Sequence, residues 1–352
     1  MATAVTEDVW SEENTNPGAI DDALRRMLHE RHVANGALVP ARVLNLVVIV
    51  DREWKGEISN RLAHVGRYHA SRTILCAVEE GRTTIDAWAA MSYEEPADGL
   101  GVMLEQVEID IGPEHLPRLE TIVDPVIVSE LPTMLWSPHG HDEAVETLRG
   151  LTDVILLDSD DVLDWSAAVQ RSLELLRTAY VVDLAWLRTT PWRERLAASF
   201  DPPARRAALG RINGITIRHR PTSTSSALLL AGWLSSRLGW QPTPFSSRSR
   251  SGARGVALRE TGEVAVSLEH ADQTVPGLAG VTVSCNSGYS LSLDRGRGGL
   301  SASERWDGTE RRWQVLGASR GEGGILGEGV RQALLRDPTY GPALEAARGF
   351  CS

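Results

Sequence analysis

Residues 43–78 decide the first part of the fold, and they read VLNLVVIVDREWKGEISNRLAHVGRYHASRTILCAV. The β-branched apolar run at 43–50 predicts a strand that is buried on both faces. Apolar residues then recur at helical spacing over 53–68, and a second apolar strand is predicted at 73–78. A strand, a helix and a strand in this order predict a right-handed βαβ unit with two parallel strands.

The pattern continues on both sides of this unit. Short turns join predicted strands at 83–92 and 102–111, which favours antiparallel pairing beside the parallel pair, and helices are predicted at 20–33 and 163–178. After about residue 181, predicted helices alternate with several short strands. The fold class is therefore predicted as α/β, with an N-terminal mixed sheet and flanking helices plus a second α+β domain. The predicted parts are a mobile tail at 1–18, an N-terminal domain at 19–180 and a C-terminal domain at 181–352.

Composition excludes several classes of protein. The chain has 352 residues, 42% of them hydrophobic, and a net charge of −11. Such a charge disfavours nonspecific nucleic-acid binding, which needs clustered Lys and Arg. The longest apolar run, 43–50, is too short to span a bilayer, and the polar, acidic N-terminus does not resemble a signal peptide. We therefore predict a cytoplasmic protein with no membrane partner.

No motif of the chain predicts catalysis. The three cysteines, Cys76, Cys285 and Cys351, are scattered, and His139 and His141 form a pair without a third metal ligand. The metalloprotease motif HExxH is missing, and nothing in the sequence places a nucleophilic serine beside a histidine base. We predict no catalytic residues, no metal site and no cofactor.

Two segments leave alternatives open. Asp158-Ser159-Asp160-Asp161 follows a predicted strand, and it could hold Mg²⁺, although Asp160 or Asp161 as the N-cap of the helix that carries Trp165 is simpler. The glycine-rich segment 321–329 lies between a strand and a helix, where a phosphate-binding loop is possible. Its two glutamates would repel phosphate, so a flexible connection is the preferred interpretation.

Tryptophan and arginine alternate at helical spacing in two blocks. Residues 183–197 read DLAWLRTTPWRERLA, and residues 231–240 read AGWLSSRLGW. Core tryptophans with arginines that reach water would explain this pattern, and so would a protein interface, because Trp and Arg dominate binding hot spots. The spacing alone does not decide between the two. The candidate partner-binding residues are Trp186, Arg188, Trp192, Arg193, Trp233 and Arg237.

These two blocks also carry a family resemblance. The chain resembles the glucose-6-phosphate dehydrogenase assembly proteins, the OpcA family of actinobacteria and cyanobacteria. Further matching segments are 41–46, 69–73, 124–136, Asp158-Ser159 and 337–340. The chain departs from the family pattern at Ala70, where Pro is usual, and at Ser137, where a second Trp is frequent.

The resemblance implies a non-catalytic protein that binds glucose-6-phosphate dehydrogenase. Such a protein would promote the active oligomer or raise substrate affinity in the oxidative pentose phosphate pathway, and thereby support NADPH production. A rival hypothesis is a sugar-phosphate-binding enzyme or sensor, in which Ser71 and Arg72 form an anion site at the predicted βαβ turn.

Overall fold

The chain forms two compact units that each draw on more than one segment. The computed structural model describes residues 6–34, 42–66, 70–94, 102–249, 251–260, 262–296, 298–316 and 321–351. Unit 1 contains the chain up to Leu157 together with Thr178–Val182 and Leu326–Leu335, and unit 2 contains Asp158–Arg177, Asp183–Ile325 and the residues from Arg336 onward. A single boundary at residue 180 therefore does not separate the two units. Thr178–Val182 and Leu326–Leu335 belong to unit 1, and Asp158–Arg177 belongs to unit 2.

Unit 1 is built on an eight-stranded mixed sheet. Its strands are β1 (Thr6–Glu12), β2 (Leu44–Asp51), β3 (Ser71–Val78), β4 (Asp86–Glu94), β5 (Val102–Ile111), β6 (Thr133–Trp136), β7 (Val154–Leu157) and β8 (Tyr180–Asp183). They lie in the order β1-β4-β5-β3-β2-β6-β7-β8. The run β5-β3-β2-β6-β7 is parallel throughout, whereas β4 pairs antiparallel with β1 and β5. This mixed sheet confirms the predicted fold class of the first half.

The predicted βαβ unit lies at the centre of this sheet. β2 and β3 pair in parallel from Leu44 opposite Ser71 to Asp51 opposite Val78. Nearly all of their side chains are buried, as the continuous β-branched runs predict for strands covered on both faces. The helices of unit 1 are α1 (Pro17–Ala34), α2 (Lys55–Gly66), α3 (Leu119–Val123) and α4 (Asp142–Thr147).

The prediction of a mobile tail at 1–18 is wrong for the residues that the structure describes. Thr6–Glu12 forms the edge strand β1, which pairs antiparallel with β4. The Arg31 guanidinium of α1 bonds to the Asp8 carboxylate, and the Thr15 N–H donates to the Ile85 carbonyl at 2.8 Å. The segment lacks strong apolar alternation because several side chains of this edge strand remain exposed. Residues 1–5 lie outside the described part of the chain.

Unit 2 contains a nine-stranded sheet and most of the remaining helices. Its strands are β9 (Ile212–His219), β10 (Gln241–Pro242), β11 (Ser247–Ser249), β12 (Gly252–Arg259), β13 (Gly262–His270), β14 (Leu278–Cys285), β15 (Ser290–Gly296), β16 (Gly299–Trp306) and β17 (Thr309–Leu316). The order is β10-β12-β13-β9-β14-β15-β16-β17, with β11 beside β12. Among the strand pairings of the described residues in this sheet, only that of β13 with β9 is parallel. The second α+β part is thereby confirmed.

The later helices are α5 (Trp165–Leu175), α6 (Leu184–Phe200), α7 (Pro203–Leu209), α8 (Thr224–Leu238), α9 (Gly321–Gln332) and α10 (Tyr340–Cys351). α6 is one continuous helix that contains Pro191. Gly239 ends α8 in the left-handed conformation with φ 68°. Gly232 allows α8 and α10 to approach closely, because a Cβ there would lie 2.2 Å from the Ala343 carbonyl oxygen.

Candidate functional site

A group of ion pairs surrounds Arg188 in unit 2. The Arg188 guanidinium donates two parallel hydrogen bonds to the Asp158 carboxylate, at 2.7 and 2.6 Å. Its Nη1 lies 3.6 Å from Asp160 Oδ2, and its Nη2 donates to Glu322 Oε2 at 2.6 Å. The side chains of Arg188, Asp158 and Asp160 are less than one-tenth exposed, whereas that of Glu322 is 48% exposed. We call these four residues the Arg188 cluster.

Helix starts and serine donors hold the carboxylates in place. Asp160 accepts hydrogen bonds from the backbone N–H and the hydroxyl of Ser226, at 2.9 and 2.6 Å, in the first turn of α8. Ser225, the preceding residue, donates its hydroxyl to the Ser159 carbonyl at 2.8 Å. A carboxylate at this position also interacts favourably with the positive end of the helix dipole.

Asp183 forms the second carboxylate site, at the start of α6. It accepts hydrogen bonds from the Ala185 N–H at 2.9 Å, from the Ser159 N–H and hydroxyl at 3.1 and 2.7 Å, and from the Tyr340 hydroxyl at 3.1 Å. Asp183 is 1% exposed. The same carboxylate therefore caps α6 and connects it to the 159 turn and to α10.

The predicted helix cap is wrong in its residue. Asp164, and neither Asp160 nor Asp161, caps α5, since its carboxylate accepts from the N–H groups of Ser166 and Ala167. Asp158 caps the short turn that follows β7. Asp160 instead accepts hydrogen bonds from Ser226 of α8, a helix that starts more than sixty residues later in the chain. The sequence around Asp160 does not reveal a partner so distant.

Burial raises the pKa of both carboxyl groups. The pKa of Asp160 rises from 3.8 to about 7, chiefly through burial and then through the nearby Asp158 charge, against the hydrogen bonds from Ser226 and the charge of Arg188. The pKa of Asp183 rises to about 6 for the same two reasons, against the bonds from Ser159 and Ala185. Burial alone would lower the pKa of Arg188, but its bonds to Asp158 and Glu322 raise it above the ordinary value.

Asp160→Asn is expected to stabilise the protein at pH 8 and to change little at pH 5. Because the folded-state pKa of Asp160 lies above the unfolded value, the folded state binds more protons between about pH 4 and pH 7, and stability falls as pH rises through that window. One pKa unit corresponds to about 1.4 kcal/mol, so we expect a gain of at least that order at pH 8. Urea denaturation at both pH values measures it, with exposed Asp272→Asn as the control. A variant that is less stable than wild type at pH 8 contradicts the prediction.

A second set of contacts joins α6 to the start of α10. The Arg193 guanidinium lies over the Trp186 ring at 3.6 Å, and Trp186 Nε1 donates to Asp337 Oδ2 at 2.9 Å. The Asp337 carboxylate in turn accepts from the N–H and the hydroxyl of Thr339, at 2.8 and 2.6 Å. Burial lowers the pKa of Arg193 to about 10, against the charges of Asp337 and Glu194. Residues of the block 183–197 and of the segment 337–340 thus contact each other within unit 2.

The structure separates the six predicted partner-binding residues into two groups. Trp186 and Trp192 are 2% and 1% exposed, so the prediction that they contact a partner is wrong, because both rings belong to the core of unit 2. Arg188 and Arg193 are about nine-tenths buried and bound by groups of the same unit.

The other two predicted contact residues lie nearer the surface. Trp233 on α8 is half-buried, and Arg237 in the last turn of the same helix is exposed. Their role in binding a partner stays a prediction.

Ser71 and Arg72 do not form the predicted anion site. Both lie in β3 and are buried, and the Arg72 guanidinium already donates to Glu105 Oε2 and to the Val126 carbonyl, each at 2.8 Å. Arg42 bonds to the other oxygen of the same carboxylate. An incoming phosphate would have to displace a buried carboxylate, so the geometry contradicts this site.

The central crevice of unit 1 was not recognised from the sequence. In doubly wound sheets with the strand order 3-2-1-4-5, ligands bind where the order reverses, and β5-β3-β2-β6-β7 repeats that order with the reversal between β2 and β6. β2 ends at Asp51 and is followed by Arg52-Glu53-Trp54, without the glycines that let a backbone approach a pyrophosphate. His141 Nε2 lies 3.0 Å from Asp51 Oδ1, and Trp54 packs on His139 with ring centroids 5.2 Å apart. These residues do not fit a dinucleotide.

The described residues also offer no metal-binding cluster and no cysteine thiol with a lowered pKa. Within the described ranges, no group of three or more His, Cys, Asp or Glu residues could hold a metal ion. The three cysteines are free, and burial raises the pKa of the Cys76 thiol to about 12 and of the Cys285 and Cys351 thiols to about 11.

The segment 321–329, interpreted above as a flexible connection, belongs to helix α9. None of the helices in the described residues has the length and apolar character needed to cross a membrane.

A surface groove of unit 2 was also missed by the sequence analysis. It has a volume of about 440 Å³. Its lining residues come from α6, α7, β15 and β17 and are Arg195, Ala198, Ser199, Arg205, Leu293, Arg311, Trp313 and Val315. We call it the arginine groove. Its arginines are separated by up to 116 positions in the sequence, so no local motif could have revealed them.

Comparison with known proteins identifies both parts of the chain. Residues 63–175 match the family described as glucose-6-phosphate dehydrogenase subunit N-terminal domain, and residues 179–344 match the corresponding C-terminal domain. The chain is 29% identical over 148 residues to an OxPP cycle protein, OpcA, of Synechococcus elongatus, covering 41% of this chain and 33% of the relative. It is 31% identical over 138 residues to the OpcA protein of Nostoc punctiforme, covering 38% and 30%. The chain thus spans about a third of the length of the curated relatives that it matches.

Solved structures show a related fold. A 3-ketoreductase from Actinomadura kijaniata, in complex with TDP-benzene and NADP, has a TM-score of 0.50 and 10% identity, covering 88% of this chain and 95% of that chain. At this identity the likeness concerns the fold alone. The matches to both family domains, together with the cyanobacterial relatives, show that the chain belongs to the OpcA family.

Proposed function

We propose that this chain is a non-catalytic assembly factor or allosteric activator of glucose-6-phosphate dehydrogenase that acts in the cytoplasm. By activating that enzyme it would support NADPH production in the oxidative pentose phosphate pathway. Family membership carries the proposal, because the descriptions of both domain families that match the chain name a glucose-6-phosphate dehydrogenase subunit.

The arrangement of the polar groups supports a role without catalysis. Asp160 and Asp183 have raised pKa values of the kind seen at active sites, but both are buried and already saturated by serine, tyrosine and backbone donors. The crevice between β2 and β6, where relatives in fold would bind a nucleotide, carries Asp51 and Glu53 instead of glycines. The oxidoreductases of similar fold are therefore a weak guide to activity, because fold does not determine function.

An activator must satisfy one physical condition. It has to bind the active state of the enzyme more tightly than the inactive state, because equal affinity for both states would shift no equilibrium. A coupling free energy of about 1–3 kcal/mol would change substrate affinity by roughly five- to 150-fold. Trp233 and Arg237 on α8 are the proposed contact residues that the fold leaves accessible.

Titration of glucose-6-phosphate dehydrogenase with the purified chain tests the proposal. The enzyme should come from the same organism, and its mass by sedimentation and its rate against glucose 6-phosphate should be followed together. We expect a larger complex and a KM for glucose 6-phosphate that falls at least fivefold, with the heat-unfolded chain as the control.

Two results would contradict the proposal. One is a titration in which both the sedimentation and the KM of the dehydrogenase stay unchanged. The other is turnover of a sugar phosphate by the chain alone, since a catalytic protein would then be present.

A further inference from the structure

The arginine groove holds positive charge that the described residues do not neutralise. Arg205 is paired with Glu304 at 2.5 Å, and the Glu304 side chain is 4% exposed. Arg195 and Arg311 also line the groove, and neither forms an ion pair within the described ranges, although Arg311 lies opposite Glu304, the partner of Arg205, in the pairing of β16 with β17. The chain as a whole has a net charge of −11, so two uncompensated arginines on one groove are a local reversal of its overall charge.

Apolar and aromatic surface lies beside this charge. Leu293 of β15 and Val315 of β17 line the groove, and Trp313, also on β17, is 37% exposed. A second groove of about 430 Å³ shares Arg205 and Arg311 with the first and reaches Trp306, which is 40% exposed. Partly exposed tryptophans next to arginines are the residue types that dominate binding hot spots.

The shape of the surface favours a peptide segment over a small anion. The two grooves follow β17 from Val315 to Thr309, and seven residues of a strand extend over roughly 20 Å. A single phosphate needs donors that converge on one point, whereas arginines that come from α6, α7 and β17, with Trp313 and Trp306 beside them, suit a chain of several residues.

We infer that the arginine groove binds an acidic segment of the partner protein, a stretch with at least two carboxylates and an apolar side chain between them. The inference rests on the proposed function, which supplies the partner. The carboxylates would pair with Arg195 and Arg311, and the apolar side chain would cover Trp313. The pairing of Arg205 with buried Glu304 keeps the shared wall of the two grooves in place.

An alternative reading of the charge is protection of a sheet edge. β17 is the last strand of its sheet, and charged side chains on an edge strand discourage pairing with other chains. Arg312 serves that purpose as well as Arg311 does, but neighbouring residues of a strand point to opposite faces, and Arg312 lines neither groove. Arg311 and Arg312 thus form a matched pair that separates groove binding from edge protection.

The test compares Arg311→Glu with Arg312→Glu in binding to glucose-6-phosphate dehydrogenase. Both residues are exposed on one strand, so both charge reversals should leave the melting temperature within a few degrees of wild type. We expect Arg311→Glu, and independently Arg195→Glu on α6, to weaken binding of the dehydrogenase at least tenfold, and Arg312→Glu to change it less than twofold. The affinity of the wild-type chain for the dehydrogenase should fall as the salt concentration rises, and the affinity of Arg311→Glu should depend less on salt.

The other outcomes overturn the inference in distinguishable ways. If wild type binds and activates the dehydrogenase but Arg311→Glu and Arg195→Glu bind as tightly, the groove is not the contact and the proposed function stands. Equal losses for Arg311→Glu and Arg312→Glu would assign the effect to general charge on β17. If calorimetry shows that glucose 6-phosphate alone binds wild type but neither groove variant, and dehydrogenase binding is unaffected, the groove is a small-anion site. A wild-type chain that does not bind the dehydrogenase refutes the proposed function itself.

Discussion

Arg188→Met is expected to lower the free energy of unfolding by about 3–5 kcal/mol at pH 8, since removing one partner of a buried ion pair leaves an uncompensated charge. The Arg188 side chain is 9% exposed and carries both hydrogen bonds to Asp158, whose side chain is also 9% exposed. Asp160 would lose its cationic neighbour at 3.6 Å as well. Methionine keeps much of the side-chain volume, so the loss reports charge more than packing.

The pH dependence of this loss identifies its cause. The pKa of Asp160 is about 7 with Arg188 present, and removing the cation raises it further. At pH 5 Asp160 is therefore protonated in the folded variant, and the loss of stability should be clearly smaller than at pH 8. Urea denaturation of wild type and variant at both pH values measures the difference.

Exposed Arg237, in the last turn of α8, provides the control for this experiment. Arg237→Met should cost less than about 0.5 kcal/mol, because its side chain lies at the surface of the described structure. A loss for Arg188→Met that is as small as that for Arg237→Met, or that does not change between pH 5 and pH 8, would show that the Arg188 cluster contributes little to folding.

The sequence allowed the buried part of the fold to be predicted better than its edges. The apolar runs of β2 and β3 identify central strands because both of their faces are covered, and that requirement is visible in every residue. β1 was missed, since an edge strand with Val9 55% exposed needs no such pattern. Its stability depends on pairing with β4, which lies about eighty residues later in the chain.

Glycine content misled the interpretation of α9. Five glycines between Gly321 and Gln332 lower the intrinsic helix propensity by up to about 1 kcal/mol each, which favours a loop. The segment is helical nevertheless, and Leu326 and Val330, four residues apart, are both buried. Burial of an apolar stripe outweighs local propensity in most helices of folded proteins, and the amount of burial cannot be read from the segment itself.

In the candidate site, too, the sequence indicated the type of element but not which of its side chains are buried. The spacing of Trp186, Arg188, Trp192 and Arg193 correctly indicated a helix, but it did not show which face of that helix is buried. Arg188 pairs with Asp158 and Glu322, and Arg193 pairs with Asp337. All three carboxylates are distant from α6 in the sequence. The arginine groove was invisible for the same reason.

Trp192→Ala is expected to lower the free energy of unfolding by about 3–5 kcal/mol, the range for truncating a large core side chain. Trp192 is 1% exposed and is the largest of the fully buried side chains among the described residues. At a temperature where the variant is still folded, its affinity for glucose-6-phosphate dehydrogenase should equal that of wild type. Thermal melting and a binding titration on the same sample measure the two quantities.

Trp233→Ala is the matched comparison, because Trp233 is also a helical tryptophan of unit 2 but is only half-buried. Its truncation should cost less stability than that of Trp192, and if Trp233 contacts the partner it should weaken binding more. A structural tryptophan and a contact tryptophan thus differ in which measurement responds, and not in the residue type or its spacing. If Trp192→Ala melts like wild type yet binds the dehydrogenase poorly, the ring must be accessible to the partner, and the packing of α6 described above is not the binding-competent state.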